Sequence, residues 1–350
     1  MNLILGLRIL LAIGIIITIV VCYSLNITIS LYSYDFGIYF ITITSYILCQ
    51  IVFSLLNRYN KTYLSENSGK YDTAHSSKLI NVTISGYRED PMFFKDCLQS
   101  VLLLDIQNIN KIFVVIDGQS DDDKYMIDIF NDIFNDKIYY NLNLEKLLHN
   151  LSPDEQFDIY NKISEYKYIC ITQPHDGKRN VMYTAFKLSL IESKINPLLN
   201  AMFSSDSDTV LVRNTIAELY KCLKYDKVGA VSGELTIFNK NNSIVAFLQH
   251  LRYWFAFNLE RGYQSYNKCV LCVSGPIGLY RLSAIEPILD EWKKQTFLNQ
   301  ECTYGDDRHL TNKILEKGYQ VVCNPYSTAS TESPEAIYRF YKQQTRWAKS

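Results

Sequence analysis

Two long stretches near the start of the chain carry no charged residue, one from Ile9 to Tyr34 and one from Phe36 to Leu56. Each matches the roughly 20 apolar residues that cross a bilayer core, so the pattern predicts two transmembrane helices, at 9–30 and 36–56. A cleaved signal peptide competes for the first run. That run is longer than an apolar h-region of about 7–15 residues and has no clear small-residue cleavage site. Arg8 precedes the first run, Arg58, Lys61, Lys70 and Lys78 follow the second, and the turn between them holds only Asp35. The positive-inside rule then places the hairpin tip outside and everything after Arg58 in the cytoplasm. On that side a sequon such as Asn81-Val-Thr is expected to stay unglycosylated.

Residues 1–58 thus form a membrane element, the polar stretch 59–78 a linker, and 79–350 a soluble domain. In that domain short apolar runs ending in Gly or Asp (LINVTISGY, KIFVVIDG, YKYICITQ, LLNAMFSSDSD, VGAVSGELTIF) alternate with stretches of helical period (PMFFKDCLQSVLLL, RNVMYTAFKLSLIES, TIAELYKCL). Near-continuous apolar strands between amphipathic helices predict an α/β fold whose mostly parallel sheet is covered on both faces. The segment 138–164 is expected to be an acidic helical insertion.

With 48% hydrophobic and 20% charged residues over 350 positions, the chain has ample material for a core and is not disordered. A net charge of −1 offers no general attraction to nucleic acid. Nine cysteines are scattered, and the close pair Cys269 and Cys272 in CVLC has no second CxxC to complete a zinc site. The pair reads as a buried strand carrying two small thiols, and the lack of a paired framework suits a reducing compartment.

Ligands of such sheets bind beyond the carboxyl ends of the strands, where Asp117, Asp206 and Asp208 fall. In Asp206-Ser207-Asp208 the period of two sends both carboxylates to one side. Two hard oxygen ligands without nearby His or Cys suit Mg²⁺ or Mn²⁺ shared with phosphates, although DSDT is also a helix-capping sequence. Glycine-rich phosphate loops are missing, so a diphosphate would rest on metal and on side chains such as Lys178, Arg179 and Arg346. Sugar transfer from a nucleotide diphosphate also needs a base for the acceptor hydroxyl. Asp306 or Asp307 suits that role with Arg308 keeping it ionised, and the alternative is an N-cap for a helix that ends at Gly318.

Seven motifs in order, SGYREDP (85–91), VVIDGQSDDD (114–123), GKRNVMYTAF (177–186), DSDT (206–209), SGPIGLYR (274–281), YGDDRHLTN (304–312) and QQTRW (343–347), resemble the processive family 2 glycosyltransferases. The nearest likeness is to the hyaluronan synthases, with chitin synthases and nodulation chitin-oligosaccharide synthases close by. The resemblance implies a GT-A fold, a UDP-sugar donor, Mg²⁺ or Mn²⁺, and an inverting transfer that builds a β-linked polysaccharide at the plasma membrane. It also implies that Tyr87, Arg88, Glu89 and Asp117 surround the uridine, Lys178 lies beside the diphosphate, and Asp208 and Asp206 serve the metal. Asp307 would be the base, supported by Asp306 and Arg308, while Gln343 and Arg346 would close over the diphosphate. Ser274, Gly275 and Pro276 would shape the acceptor site and Trp347 would offer its face to the acceptor sugar.

Family members continue past the QxxRW element into further transmembrane helices, and this sequence stops three residues after Trp347. Donor binding and short transfer are expected of such a chain, with processive synthesis and export depending on helices beyond it. Three functions stay open at this point: a synthase alternating UDP-GlcNAc with UDP-GlcUA, a chitin-type enzyme using UDP-GlcNAc alone, and a truncated UDP-sugar-binding protein.

Overall fold

The computed structural model describes residues 28–31, 34–66, 78–104, 108–297, 299–302 and 304–348, together with positions 14, 17, 18, 20 and 21. The chain divides into two compact units, Met1–Phe53 and Ser54–Ser350. In the first, strands β1 (Thr28–Leu31) and β2 (Tyr34–Gly37) pair antiparallel and helix α1 (Ile38–Glu66) begins. Within α1 the window Phe40–Lys61 is long and apolar enough to cross a bilayer and overlaps the expected second span, of which Phe36 and Gly37 instead close β2. Among the described residues it is the one such helix; the expected first span lies mostly outside them, and its last residues, Thr28–Ser30, belong to β1 instead of a helix. Because residues 59–66 contain no Gly or Pro to break the turn, α1 runs to Glu66, and this part of the expected linker is helical.

The second unit continues with β3 (Leu79–Gly86), α2 (Pro91–Leu102), β4 (Ile109–Asp117), α3 (Lys124–Ile133), β5 (Tyr139–Asn143), α4 (Pro153–Ile163), β6 (Tyr168–Gln173), α5 (Lys178–Ile195), β7 (Leu199–Asp206) and β8 (Val210–Leu211). Next come α6 (Thr215–Cys222), β9 (Val228–Ile237), α7 (Ile244–Phe255), a π-helical turn Ala256–Glu260, and α8 (Arg261–Tyr266). The chain then forms β10 (Gly278–Arg281), α9 (Leu282–Ile285), α10 (Leu289–Lys293), β11 (Thr296–Phe297), β12 (Gln300–Glu301), α11 (Asp306–Glu316), β13 (Gln320–Thr331) and α12 (Ile337–Ala348).

One nine-stranded sheet runs in the order β5-β6-β4-β3-β7-β10-β9-β13-β8. From β5 to β7 every pairing is parallel, as is β9 with β13, while β10 and β8 run antiparallel to their neighbours. Both faces are buried: Phe113 and Val115 of β4 enter one core with Phe186 and Trp292, whereas Val114 and Ile116 enter the other with Phe94 and Phe130. Each such side chain contributes roughly 1.5–3 kcal/mol on burial, which locks the register of the strands.

That register aligns the strand ends, pairing Ser85 with Asp206, Gly86 with Ile116, and Asp117 with Gln173. Since β10 is reversed, with Gly278 opposite Ser204, the loop entering it arrives at the same edge. Near the start of β3, Asn81 is fully buried and its Nδ2 donates to Ser189 Oγ and Glu192 Oε2, both at 2.9 Å. A glycan on that amide would have no room in the folded domain.

Three local expectations change. The segment 138–164 is not wholly helical: Tyr139–Asn143, with Leu142 buried, adds β5 to the sheet edge, and only Pro153–Ile163, capped by Ser152 and Glu155, is an α-helix. The CVLC pair is no buried strand, because Cys269 makes one isolated bridge to Val321 and is exposed, and Cys272 is half-buried. Val270 and Val273 do the burying, and the Ser-Gly-Pro that follows keeps the segment a loop. DSDT caps no helix, since β8 intervenes before α6 begins at Thr215.

Candidate active site

At the end of β3 the Tyr87 ring stacks on His175, with centroids 4.3 Å apart and planes 17° from parallel. Arg88, in the left-handed region at φ 45°, donates from Nε to Asp123 Oδ1 at 3.2 Å. Asp117, 2% exposed, accepts from the backbone N–H groups of Asp176 at 3.0 Å and Gly177 at 2.9 Å and faces His175 Nδ1 at 2.9 Å. Its carboxylate is thereby committed to the loop between β6 and α5, and Tyr87 with His175 forms the exposed aromatic face above it.

The same loop ends at Gly177, whose φ of 86° starts α5 and presents Lys178 in its first turn. Lys178 Nζ lies 2.5 Å from Asp206 Oδ1. Burial alone would depress this ammonium, but Asp206, Asp306 and Asp307 outweigh it and hold the pKa above the usual range. Beyond Asp206, Ser207 turns the other way and donates to Glu89 Oε2 at 3.1 Å, as the period of two requires. Asp208 accepts from Thr209 Oγ1 at 3.1 Å and Thr331 Oγ1 at 3.2 Å. Burial, then the charges of Asp206 and Glu89, push Asp208 up to about 6. Among the described residues no three His, Cys, Asp or Glu side chains are placed to cage an ion unaided.

Helix α11 opens after Gly305, the residue in the N-cap position, at φ 74°. Asp306 and Asp307 therefore occupy its first turn, where the helix dipole favours carboxylates. Asp307 Oδ1 accepts from the Arg308 backbone N–H at 2.7 Å, and Cys272 Sγ donates to Asp307 Oδ2 at 3.3 Å. Thr311 joins the two segments: its Oγ1 donates to Asp307 O at 2.7 Å and accepts from Val273 N at 2.9 Å. Asp306 Oδ2 is buried with no hydrogen-bond partner. The expected support from Arg308 comes through its backbone; its side chain is exposed and makes no ion pair to Asp307 among the described residues.

In the loop before β10, Ser274 Oγ accepts from Arg261 Nη1 at 2.7 Å and Pro276 O accepts from Ser205 Oγ at 2.8 Å. A Cβ on Gly275 would stand 2.5 Å from Lys178 Nζ and 3.4 Å from Asp206 Oδ2, so any other residue here has to push the lysine ammonium aside. On α12, Arg346 lines a cleft of about 260 Å³ with Tyr304, Tyr338, Tyr341, Lys342 and Thr345. Trp347 packs on Tyr253 at 6.4 Å between centroids. The Tyr253 hydroxyl is pushed up to about 12, first by burial, with Arg261 and Arg346 opposing and Asp208 and Asp206 adding to the rise. Tyr253 thus meets α12 through Trp347. Gln343 accepts from Gln344 Nε2 at 3.4 Å and makes no hydrogen bond to the other candidates among the described residues.

Residues 205–350 match the glycosyl transferase family group 2 model. Over 328 residues, 91% of this chain, the sequence is 37% identical to hyaluronan synthase 2 of Rattus norvegicus. The chain is similar to the family 2 glycosyltransferases. Hyaluronan synthase 2 of Homo sapiens is also 37% identical over 328 residues, and hyaluronan synthase 3 of Xenopus laevis 36% over 320. The chain spans little more than half of those relatives, 57% of the first two and 55% of the third. Among solved structures, the mannosyltransferase PcManGT from Pyrobaculum calidifontis in complex with GDP-Man and Mn²⁺ aligns at a TM-score of 0.49 with 12% identity, covering 86% of this chain and 74% of that one.

Several contributors to the candidate site escaped the motifs. His175 was visible only as part of PHDG after a strand, and Cys272 only as half of a CxxC. Arg179, weighed for the diphosphate, instead turns inward: its Nη1 donates to Trp292 O at 2.6 Å, and Trp292 Nε1 donates to Asp306 O at 2.9 Å. Arg179 Nη1 also meets His309 Nδ1 at 3.4 Å. Burial, then Arg179 and Lys313, lower His309 to about 4 from 6.5, so the ring stays neutral and accepts. The unfolded chain takes this proton first, so the contribution to stability is complete above the ordinary histidine value and is lost as pH falls toward the folded one. His309→Gln is expected to shrink the fall in melting temperature between about pH 7 and about pH 5 relative to the parent. An unchanged fall would mean that His309 takes up its proton as readily in the folded protein as in the unfolded chain.

Proposed function

We propose that this chain is the donor-binding and transfer portion of a membrane-anchored, inverting glycosyltransferase of GT-A type. It uses UDP-GlcNAc and UDP-GlcUA and extends a β-linked polysaccharide, as the hyaluronan synthase likeness suggests. The observation that carries this is the gathering of Asp206, Asp306 and Asp307 around the Lys178 ammonium at the carboxyl edge of the sheet. The catalytic domain faces the cytoplasm, and α1 anchors it in the plasma membrane.

Tyr87 and His175 supply an aromatic face for the uracil, with Arg88, Glu89 and Asp117 shaping the pocket. Lys178, Arg346 and Gln343 hold the diphosphate. Asp206 and Asp208 fit Mg²⁺ or Mn²⁺: they are hard oxygen donors, and the crowding that raises Asp208 is relieved by a cation. When bound, such an ion neutralises charge on the departing diphosphate. Asp307, half-buried and aligned by the Arg308 N–H and the Cys272 thiol, takes the proton of the acceptor hydroxyl. That oxygen bonds to the anomeric carbon while the bond to the diphosphate breaks and UDP leaves with the electron pair. Ser274, Gly275, Pro276 and Trp347 bound the acceptor.

The test is UDP release by membranes carrying the chain, supplied with Mg²⁺ or Mn²⁺ and each donor singly or together. Release that needs both sugars and yields a hyaluronidase-sensitive product is expected. A chitinase-sensitive product from UDP-GlcNAc alone would replace the substrate assignment, and absence of UDP binding would overturn the function. Gly275→Ala bears on the same site, since its Cβ would displace Lys178 from Asp206. It should lower turnover roughly tenfold, about 1.4 kcal/mol, with the melting temperature unchanged. Full turnover in that variant would show that this ion pair need not be held in place.

A further inference from the structure

Arg261 begins α8 directly after the π-helical turn, a distortion that recurs at functional sites. Its guanidinium carbon stands 4.0 Å over the Phe257 ring. Its Nη1 donates to Ser274 Oγ at 2.7 Å and lies 3.5 Å from Ser232 Oγ. Both partners are neutral, and among the described residues no carboxylate pairs with it, whereas Lys178 has Asp206 and Arg88 has Asp123. A half-buried guanidinium has five donors in a planar fork, and leaving its charge uncompensated away from water is costly. Such a group is complete once it meets an anion.

Its position selects the anion. Arg261 holds Ser274, while the next residue, Gly275, abuts Lys178, so the loop sets Arg261 apart from the cation on the diphosphate side. The Arg261 charge also acts on Cys272, the thiol that contacts Asp307. Arg261 therefore holds Ser274, which the reading above places at the acceptor, and lies near the thiol that contacts the proposed base. A planar guanidinium matches a planar carboxylate through two parallel hydrogen bonds.

We infer that Arg261 is a specificity residue that binds the carboxylate of a uronic acid unit in the acceptor, favouring an acidic polysaccharide over a neutral one. The inference rests on the glycosyltransferase reading above and deepens it. Binding of a hyaluronan hexasaccharide, a chitin hexasaccharide and UDP should be measured on the detergent-solubilised full chain and on Arg261→Met and Arg261→Lys. The parent is expected to prefer the acidic oligosaccharide, and Arg261→Met to lose that preference by roughly 10–100-fold, the range for a charge-assisted contact. Chitin hexasaccharide and UDP affinities should change little, which also reports an intact fold, and Arg261→Lys should keep part of the preference. An unaltered preference in Arg261→Met overturns the inference, as does a parallel loss of UDP affinity, which would assign Arg261 to the donor phosphates. A parent that binds UDP without preferring the acidic sugar overturns it and leaves the transferase reading intact. A parent that does not bind UDP overturns both.

Discussion

Asp307→Asn is expected to stop sugar transfer while leaving UDP binding within about twofold of the parent. The substitution keeps the shape of the side chain and one acceptor oxygen for the Arg308 N–H, now 2.7 Å from Oδ1, so the first turn of α11 should persist. What it removes is the basicity needed when the acceptor hydroxyl attacks, and a positioned base typically contributes 10²–10⁴-fold. UDP release with both donors should therefore fall by about that factor, with unchanged melting and unchanged nucleotide affinity. Asp306→Asn is the instructive companion. Asp306 Oδ2 has no hydrogen-bond partner to align it, so its loss should lower transfer less than Asp307→Asn does. Equal loss of binding and transfer in Asp307→Asn would assign Asp307 to the donor and leave the base elsewhere.

The sheet was legible because strands buried on both faces must be apolar at nearly every position, which makes β3, β4, β6 and β7 stand out as runs ending in Gly, Asp or Gln. The motif carboxylates were legible for the same reason, since a charge directly after such a run lies at a strand end. The reversal of β10 was not, because four residues carry no sign of direction and only pairing with β7 and β9 sets it. Nor could the sequence separate the roles of Lys178 and Arg179. They are neighbours on one helix turn, but Lys178 reaches Asp206 and Arg179 reaches Trp292, 113 positions away. Arg308 was over-read: an arginine beside a carboxylate invites an ion pair, and the helix supplies the backbone N–H instead.

The Asp-Ser-Asp assignment meets its sharpest test in Asp208→Asn, because stability and ligand binding should move in opposite directions. An ionised Asp208 shares a buried space with Asp206 and Glu89, and its pKa rises to about 6 from 3.8. Above the folded value this raised pKa costs stability, since the native state must give up a proton that it holds more tightly than the unfolded chain does. Without metal, then, Asp208→Asn should melt higher than the parent near pH 7.5, and the advantage should vanish as pH falls below about 4. A lost ligand acts the other way on donor binding. In Mn²⁺ or Mg²⁺ the variant should bind UDP at least about tenfold more weakly, and chelation by EDTA should weaken the parent to a similar level while barely affecting the variant. Thermal melting with and without metal, beside UDP titration, separates the two effects. A variant that melts lower and binds UDP normally would make Asp208 a structural carboxylate held by Thr209 and Thr331, and UDP affinity in the parent that ignores EDTA would remove the metal from the donor site altogether.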